Sequence, residues 1–162
     1  MAKPTSAPSP TLDVSTVIAA PAARVMKAFF EPKALGAWWQ VAHAVVVPRV
    51  LGPYAIEWQP TDFRDQVLGR LGGVFRGTVM HVQPDHGFFV ADAFWLPPDG
   101  DPIGPMAMEV TCVESGDGAV TTTNVRVTQT GFEESERWRR YYEVITVGWT
   151  RALASLKSLL ER

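Results

Sequence analysis

The chain has 162 residues, 46% hydrophobic and 20% charged, with a formal net charge of −2, all ordinary for a single globular domain. The mixed charge offers no basic stripe to neutralise nucleic-acid phosphates. The lone Cys112 excludes an internal disulfide and a cysteine-based zinc site, and no apolar run reaches the ~18 residues of a membrane span.

Residues 1–11 are rich in Pro, Ser and Ala without periodicity, so they read as a disordered tail ahead of one domain over 12–162. No apolar signal-peptide core precedes that domain, and a cytoplasmic location is expected. From Leu12 to Ile18 the alternation predicts a strand, with Val14, Thr16 and Ile18 on one face. Pro21 suits the first turn of a helix carrying Val25, Ala28 and Phe29 on one side, which Pro32 stops. A second short helix is predicted from Pro32 or Lys33 to Trp38 or Trp39.

The middle of the chain reads as strands joined by turns. Val41–Val47 and Pro53–Gln59 come first, split at Leu51-Gly52-Pro53. One helical turn is expected around Phe63–Leu68, inside a Pro-, Asp- and Gly-bearing stretch. Strands follow at Gly73–Val82 and Gly87–Leu96, joined by Gln83-Pro84-Asp85-His86. After a loop at Pro97–Pro105, Met106–Glu114 and Val120–Thr130 flank a hairpin signal at Ser115-Gly116-Asp117-Gly118. Consecutive strands with short turns imply an antiparallel meander and an α+β class.

The last segment is the most strongly patterned. Trp138, Tyr141, Tyr142, Ile145, Trp149, Ala152, Leu153, Leu156, Leu159 and Leu160 fall within one arc of roughly 120° on a helical wheel. Val147 alone sits plainly on the wrong face. Glu133, Glu134 and Glu136 crowd the start, where the helix dipole favours anions. A helix from Ser135 to Glu161 would be about 40 Å long, enough to cross a sheet. Arg137, Arg139 and Arg140 near its start read as a solvated face.

Local patterns within this order resemble a known family. Val17-Ile18-Ala19-Ala20-Pro21-Ala22-Ala23-Arg24-Val25 is similar to its opening strand and helix start, and Leu35-Gly36-Ala37-Trp38-Trp39 to its Leu–x–x–Trp–Trp/Phe segment. Leu51-Gly52-Pro53-Tyr54 departs slightly from its Gly-Gly turn, while Gly77-Thr78-Val79 with Val82 and Pro84 follows its Gly–x–Val strand. Thr123 to Phe132 and Gly148-Trp149 with Leu153 and Leu156 match its closing strand and helix. Together they resemble the START-like (Bet v 1-like, helix-grip) superfamily in its Hsp90-ATPase-activator-homologue branch. The resemblance implies a curved antiparallel sheet wrapped around the C-terminal helix, with a cavity between them.

The sequence contains no HExxH, GxSxG, Walker A, GxGxxG or CxxC pattern, so no catalytic residue, metal ligand or cofactor is assigned. Cys112 lies in an apolar strand pattern and reads as a buried, inert thiol. His43, His81 and His86 lack metal-like spacing, but His81 alternates with Phe75, Gly77 and Val79 and has the phase to face a cavity. Asp92 interrupts an apolar run, either on a solvated face or buried with a raised pKa. Glu57 and Glu109 alternate with apolar neighbours as outward charges should.

Grip geometry gives the ligand-binding candidates: Tyr54 and Trp58 on one strand face, His81, Asp92 and Met108, the polar Gln129 beside Val125 and Val127, and Tyr141, Tyr142, Ile145 and Trp149 on the helix. Rings and Met with a few polar tips are what a small-molecule pocket needs. The expected function is non-catalytic binding of a small hydrophobic or aromatic ligand by a monomer or homodimer. The alternatives are an interaction module for an Hsp90-type chaperone, and a polyketide cyclase or aromatase in which His81, Asp92 or Tyr142 moves protons.

Overall fold

The computed structural model describes residues 10–116 and 120–162. Its sequence of elements begins with strand β1 (Leu12–Ile18), helices α1 (Ala22–Phe30) and α2 (Pro32–Trp39), and strands β2 (Val41–Val46) and β3 (Pro53–Trp58). The short strands β4 (Arg64–Asp65) and β5 (Gly69–Arg70) precede the long β6 (Gly73–Gln83), β7 (Gly87–Leu96), β8 (Ile103–Ser115) and β9 (Thr122–Thr130). Helix α3 (Glu136–Leu160) closes the chain.

Seven strands form one sheet in the order β1-β9-β8-β7-β6-β3-β2, every pairing antiparallel. Strands β2 to β9 thus run as a meander interrupted only by the β4–β5 hairpin, and β1 returns to pair with β9. The sheet curls because β7 carries an extra residue between Val90 and Ala93 relative to both neighbours, and β6 another between Val79 and His81. Such bulges bend a strand and increase its twist. Gly77 belongs to this bend: a Cβ there would stand 2.5 Å from Val90 Cγ1, so only glycine lets the two strands close up.

Helix α3 lies against the concave face as the wheel demands. Ser135 caps it by accepting the Trp138 amide, and Trp138, Tyr141, Trp149, Ala152, Leu153, Leu156 and Leu160 are buried. Val147 is 51% exposed, so the one misplaced apolar residue faces solvent. The C-terminal end is tied down: Lys157 Nζ donates to the Val17 carbonyl (2.7 Å), the Ala19 amide donates to Glu161 (2.9 Å), and Arg24 donates to the Leu160 carbonyl (3.0 Å).

Helices α1 and α2 cap one end of the grip. Phe29 meets Trp38 and Phe88 edge-on at 5.0 and 5.6 Å, and Trp38 Nε1 donates to the Ala28 carbonyl. These rings keep apolar contact while the indole N–H is satisfied.

Local differences from the sequence reading have local causes. Where a helical turn was expected around Phe63–Leu68, the chain forms the β4–β5 hairpin. The Asp65 carboxylate accepts both the Val67 and Leu68 amides (3.0 Å each), which stabilises the turn instead of a helix, and Gly69 leaves it at φ +80°. Pro21 sits one place ahead of the first helical residue. Strand β8 starts at Ile103, inside the expected loop, because Ile103 pairs with Trp95. Residues 1–9 of the expected tail, and 117–119 in the expected β8–β9 turn, lie outside the described residues.

Candidate functional site

Between the middle of α3 and the curled sheet is a cleft of about 770 Å³. It exists because α3 is held to β1 and α1 at its C-terminal end, while α2 and the segment after β3 pack against its middle. A straight helix cannot follow a curved sheet along its whole length. The walls are mostly aromatic. Trp39 stacks on Trp38 (centroids 5.0 Å apart, planes 9° from parallel), meets Trp58 edge-on at 5.3 Å and leans on Trp149 at 4.6 Å. Opposite them Trp95 stacks on Tyr141 at 5.5 Å, and Phe75 adds another ring.

Three of the indole N–H groups are occupied: Trp38 Nε1 donates to the Ala28 carbonyl, Trp58 Nε1 to the Trp39 carbonyl and Trp95 Nε1 to the Gly72 carbonyl. Gln129 is different. It is 2% exposed on β9, lines the cleft, and its Oε1 has no hydrogen-bond partner among the described residues. The Tyr141 hydroxyl donates only to the Met106 sulfur, at 3.5 Å, and burial pushes its pKa up, so it stays a neutral phenol. Exposed Gln59, Pro60, Thr61, Arg151 and Ser155 mark the mouth.

The β4–β5 hairpin forms a flap along one side, inserting Leu68 and Leu71 into the cleft wall. Its anchor is Asp65, whose carboxylate accepts from Arg140 on α3 at 2.7 Å as well as from its own turn. Arg64 and Arg70 on the flap also lie near Asp99. The Arg140 hydrogen bond holds the Asp65 carboxyl below its ordinary 3.8, against the opposing effect of burial. A carboxyl lowered on folding contributes stability above its unfolded value and loses it as pH falls through the folded value. The flap should therefore hold its hydrogen-exchange protection from neutrality down to the ordinary carboxylate range and lose it below. Protection factors at the Val67 and Leu68 amides check this. Asp65→Asn should lower protection at neutral pH and flatten the acid response, and an unchanged profile would show that Asp65 does not anchor the flap.

Of the residues expected at the site, the structure brings Trp58, Gln129, Tyr141, Ile145 and Trp149 together around the cleft. Tyr54 and Met108 instead lie in solid core, both fully buried. The Tyr54 hydroxyl donates to the Phe29 carbonyl (3.0 Å), which binds it under α1 rather than to a ligand. Tyr142 is turned about 100° from Tyr141 on the helix and packs edge-on against Phe132 at 5.5 Å.

His81 and Asp92 correct the expectation that they face the cavity. Both are exposed, His81 because the β6 bulge reverses the alternation after Val79, and Asp92 because it is the bulged residue of β7, at φ +52°. Glu57 and Glu109 face outward, as alternation requires, and Cys112 is buried, its thiol pushed up to about 12 by desolvation.

Trp38, Trp39, Phe75, Trp95 and Gly148 line the cleft but escaped the list of candidates. The Trp38-Trp39 pair was a usable signal, since two adjacent large rings on a short helix exceed what one buried face needs. Among the described residues no three His, Cys, Asp or Glu side chains gather as a metal site would require, and no helix is long and apolar enough to cross a membrane. A shallower groove of about 570 Å³ outside the flap is lined by Arg64, Asp99, Asp101 and Arg137. Arg64 there already lies 3.6 Å from Asp99, and Arg137 donates to the Asp101 carbonyl.

The arrangement has counterparts among solved structures. A protein from Mesorhizobium loti is similar over 94% of this chain and 98% of its own, with 23% identity and a TM-score of 0.69. The Aha1 dimer from Colwellia psychrerythraea is similar over 93% of this chain and 96% of its own, with 18% identity and a TM-score of 0.56. A protein of the dynemicin biosynthetic locus shares 22% identity over 95% of this chain, which spans 48% of that protein, with a TM-score of 0.58. These likenesses show a shared helix-grip fold. No curated protein matches the sequence. The profile of the family described as activator of Hsp90 ATPase homolog 1-like protein matches residues 19–161, nearly the whole domain. The chain belongs to that family.

Proposed function

We propose that the protein binds a small, apolar, ring-containing molecule in the cleft between α3 and the sheet, without transforming it. The observation that carries this reading is a cleft of about 770 Å³ walled by Trp39, Trp58, Trp95, Tyr141 and Trp149. That volume lies within the ~300–1,000 Å³ of small-molecule sites, and aromatic walls with few polar tips suit a ligand of the same character. The proton carriers that a cyclase reading would use, His81, Asp92 and Tyr142, do not line the cleft. Its buried polar groups, Gln129 and the Tyr141 phenol, are neutral.

Titration with naphthol, followed by quenching of tryptophan fluorescence, tests the proposal. Saturable one-to-one binding is expected to quench strongly, because five of the six tryptophans, Trp38, Trp39, Trp58, Trp95 and Trp149, line the cleft. Absence of saturable binding by naphthol and comparable apolar fragments would count against it. The chaperone reading has the family's description behind it. Faster ATP hydrolysis by an Hsp90 on adding this chain is the result that would favour it.

A further inference from the structure

Two polar groups in the cleft, the Gln129 carboxamide on β9 and the Tyr141 hydroxyl on α3, are not satisfied well by the protein itself, and both reach the same part of the sheet. Gln129 on β9 stands directly across from Met108 on β8, and Met106, which accepts the Tyr141 hydroxyl, shares the Met108 face two residues earlier. Gln129 and Met106 are therefore diagonal neighbours on adjacent strands, within reach of long side chains. A thioether is a weak acceptor, so the Tyr141 phenol has capacity to spare.

A buried carboxamide oxygen without a partner is destabilising relative to a satisfied one. An apolar residue at position 129 would avoid that cost, since Leu12, Met108 and Val127 around it are all fully buried apolar side chains. The placement makes physical sense when a partner arrives from the cleft. A half-turn about the last side-chain bond exchanges the oxygen and the NH2, so the amide can offer either an acceptor or a donor.

We infer that Gln129 is the polar anchor of the ligand site, and that the ligand is a ring compound bearing a hydroxyl at its buried end. A hydroxyl matches this spot because it can donate to the Gln129 oxygen and accept from Tyr141 or the Gln129 NH2 at once. The aromatic walls hold the rest of the molecule, and the amide fixes which end enters first. The inference rests on the cleft being the ligand site.

The test is a matched pair, naphthol and the methylnaphthalene of the same substitution pattern, which differ by a hydroxyl in place of a methyl group of nearly equal size. Affinities are measured by calorimetric titration of the wild type, Gln129→Leu and Gln129→Met. The wild type should prefer naphthol by about tenfold, as one satisfied buried hydrogen bond predicts. Gln129→Leu should lose that preference while binding methylnaphthalene at least as well, and should fold with unchanged or raised stability. If the branched residue disturbs the core, Gln129→Met, unbranched like Gln, carries the same comparison. A preference for naphthol that survives in the folded variant would overturn the anchor but leave the cleft as the site. A wild type that binds both probes equally would do the same. Failure of both probes to bind the wild type would overturn the cleft itself and the anchor with it.

Discussion

Trp149→Ala should lower stability by about 3–5 kcal/mol, the range for truncating a large aromatic in a protein core. The residue is 4% exposed, leans on Trp39 at 4.6 Å and joins α3 to α2 across the mouth of the grip. Removing the indole strips apolar contacts from Trp39, which is itself stacked on Trp38, so the loss spreads into the α1–α2 cap. One side of the ring borders the cleft, so part of the void it leaves merges with existing space. This puts the expected value toward the lower end of the range. Urea unfolding should show a reduced midpoint with an unchanged slope, the signature of lost stability rather than of an altered denatured state. Val147→Ala, at an exposed position of the same helix, should change stability by no more than about 0.5 kcal/mol. A Trp149 variant that lost less than about 1 kcal/mol would contradict the packing between α2 and α3.

How far the sequence carried the structure depended on whether a feature was periodic or singular. Helix α3 was legible almost to the residue because its apolar positions repeat over seven turns, and one exception, Val147, could be named in advance. The antiparallel meander followed from turn chemistry such as Gln83–His86, whereas the return of β1 to pair with β9 did not. Bulges were not legible, since each is a single extra residue whose effect appears only when neighbouring strands are paired. That is why His81 and Asp92 were expected on the wrong side of the sheet. The flap was missed for a related reason: the bonds that shape it join Asp65 to its own turn and to Arg140, which is 75 residues away. Arg140, read as part of a solvated helix face, is half-exposed and anchors the flap. At the cleft, Trp58, Gln129, Tyr141, Ile145 and Trp149 followed from alternation and the wheel. Tyr54 and Met108 share those inward phases but sit where the grip is filled, and a pattern along one element does not report how far away the opposite wall stands.

Gly148 provides the most direct separation of ligand binding from folding. It lies in the interior of α3, where glycine is about 1 kcal/mol less favourable than alanine. A Cβ added there meets no heavy atom of the described residues within 4 Å, and the position, itself exposed, lines the cleft beside Trp149. Core packing does not demand a glycine at a site with open space above it, but keeping that space open does. Gly148→Ala should therefore stabilise the protein, by up to about 1 kcal/mol from helix propensity. Gly148→Leu should fold with at least wild-type stability, since leucine is also a good helix former and its side chain enters an apolar space. The same side chain would occupy volume that the proposed ligand needs, and naphthol affinity should fall by about tenfold or more, equivalent to about 1.4 kcal/mol for each decade. Urea unfolding and calorimetric titration on the two variants measure both effects. A folded Gly148→Leu protein that binds naphthol as tightly as the wild type would place the ligand elsewhere than along this stretch of α3. A variant that is destabilised instead would mean that the helix packs more closely at Gly148 than the open space above it allows.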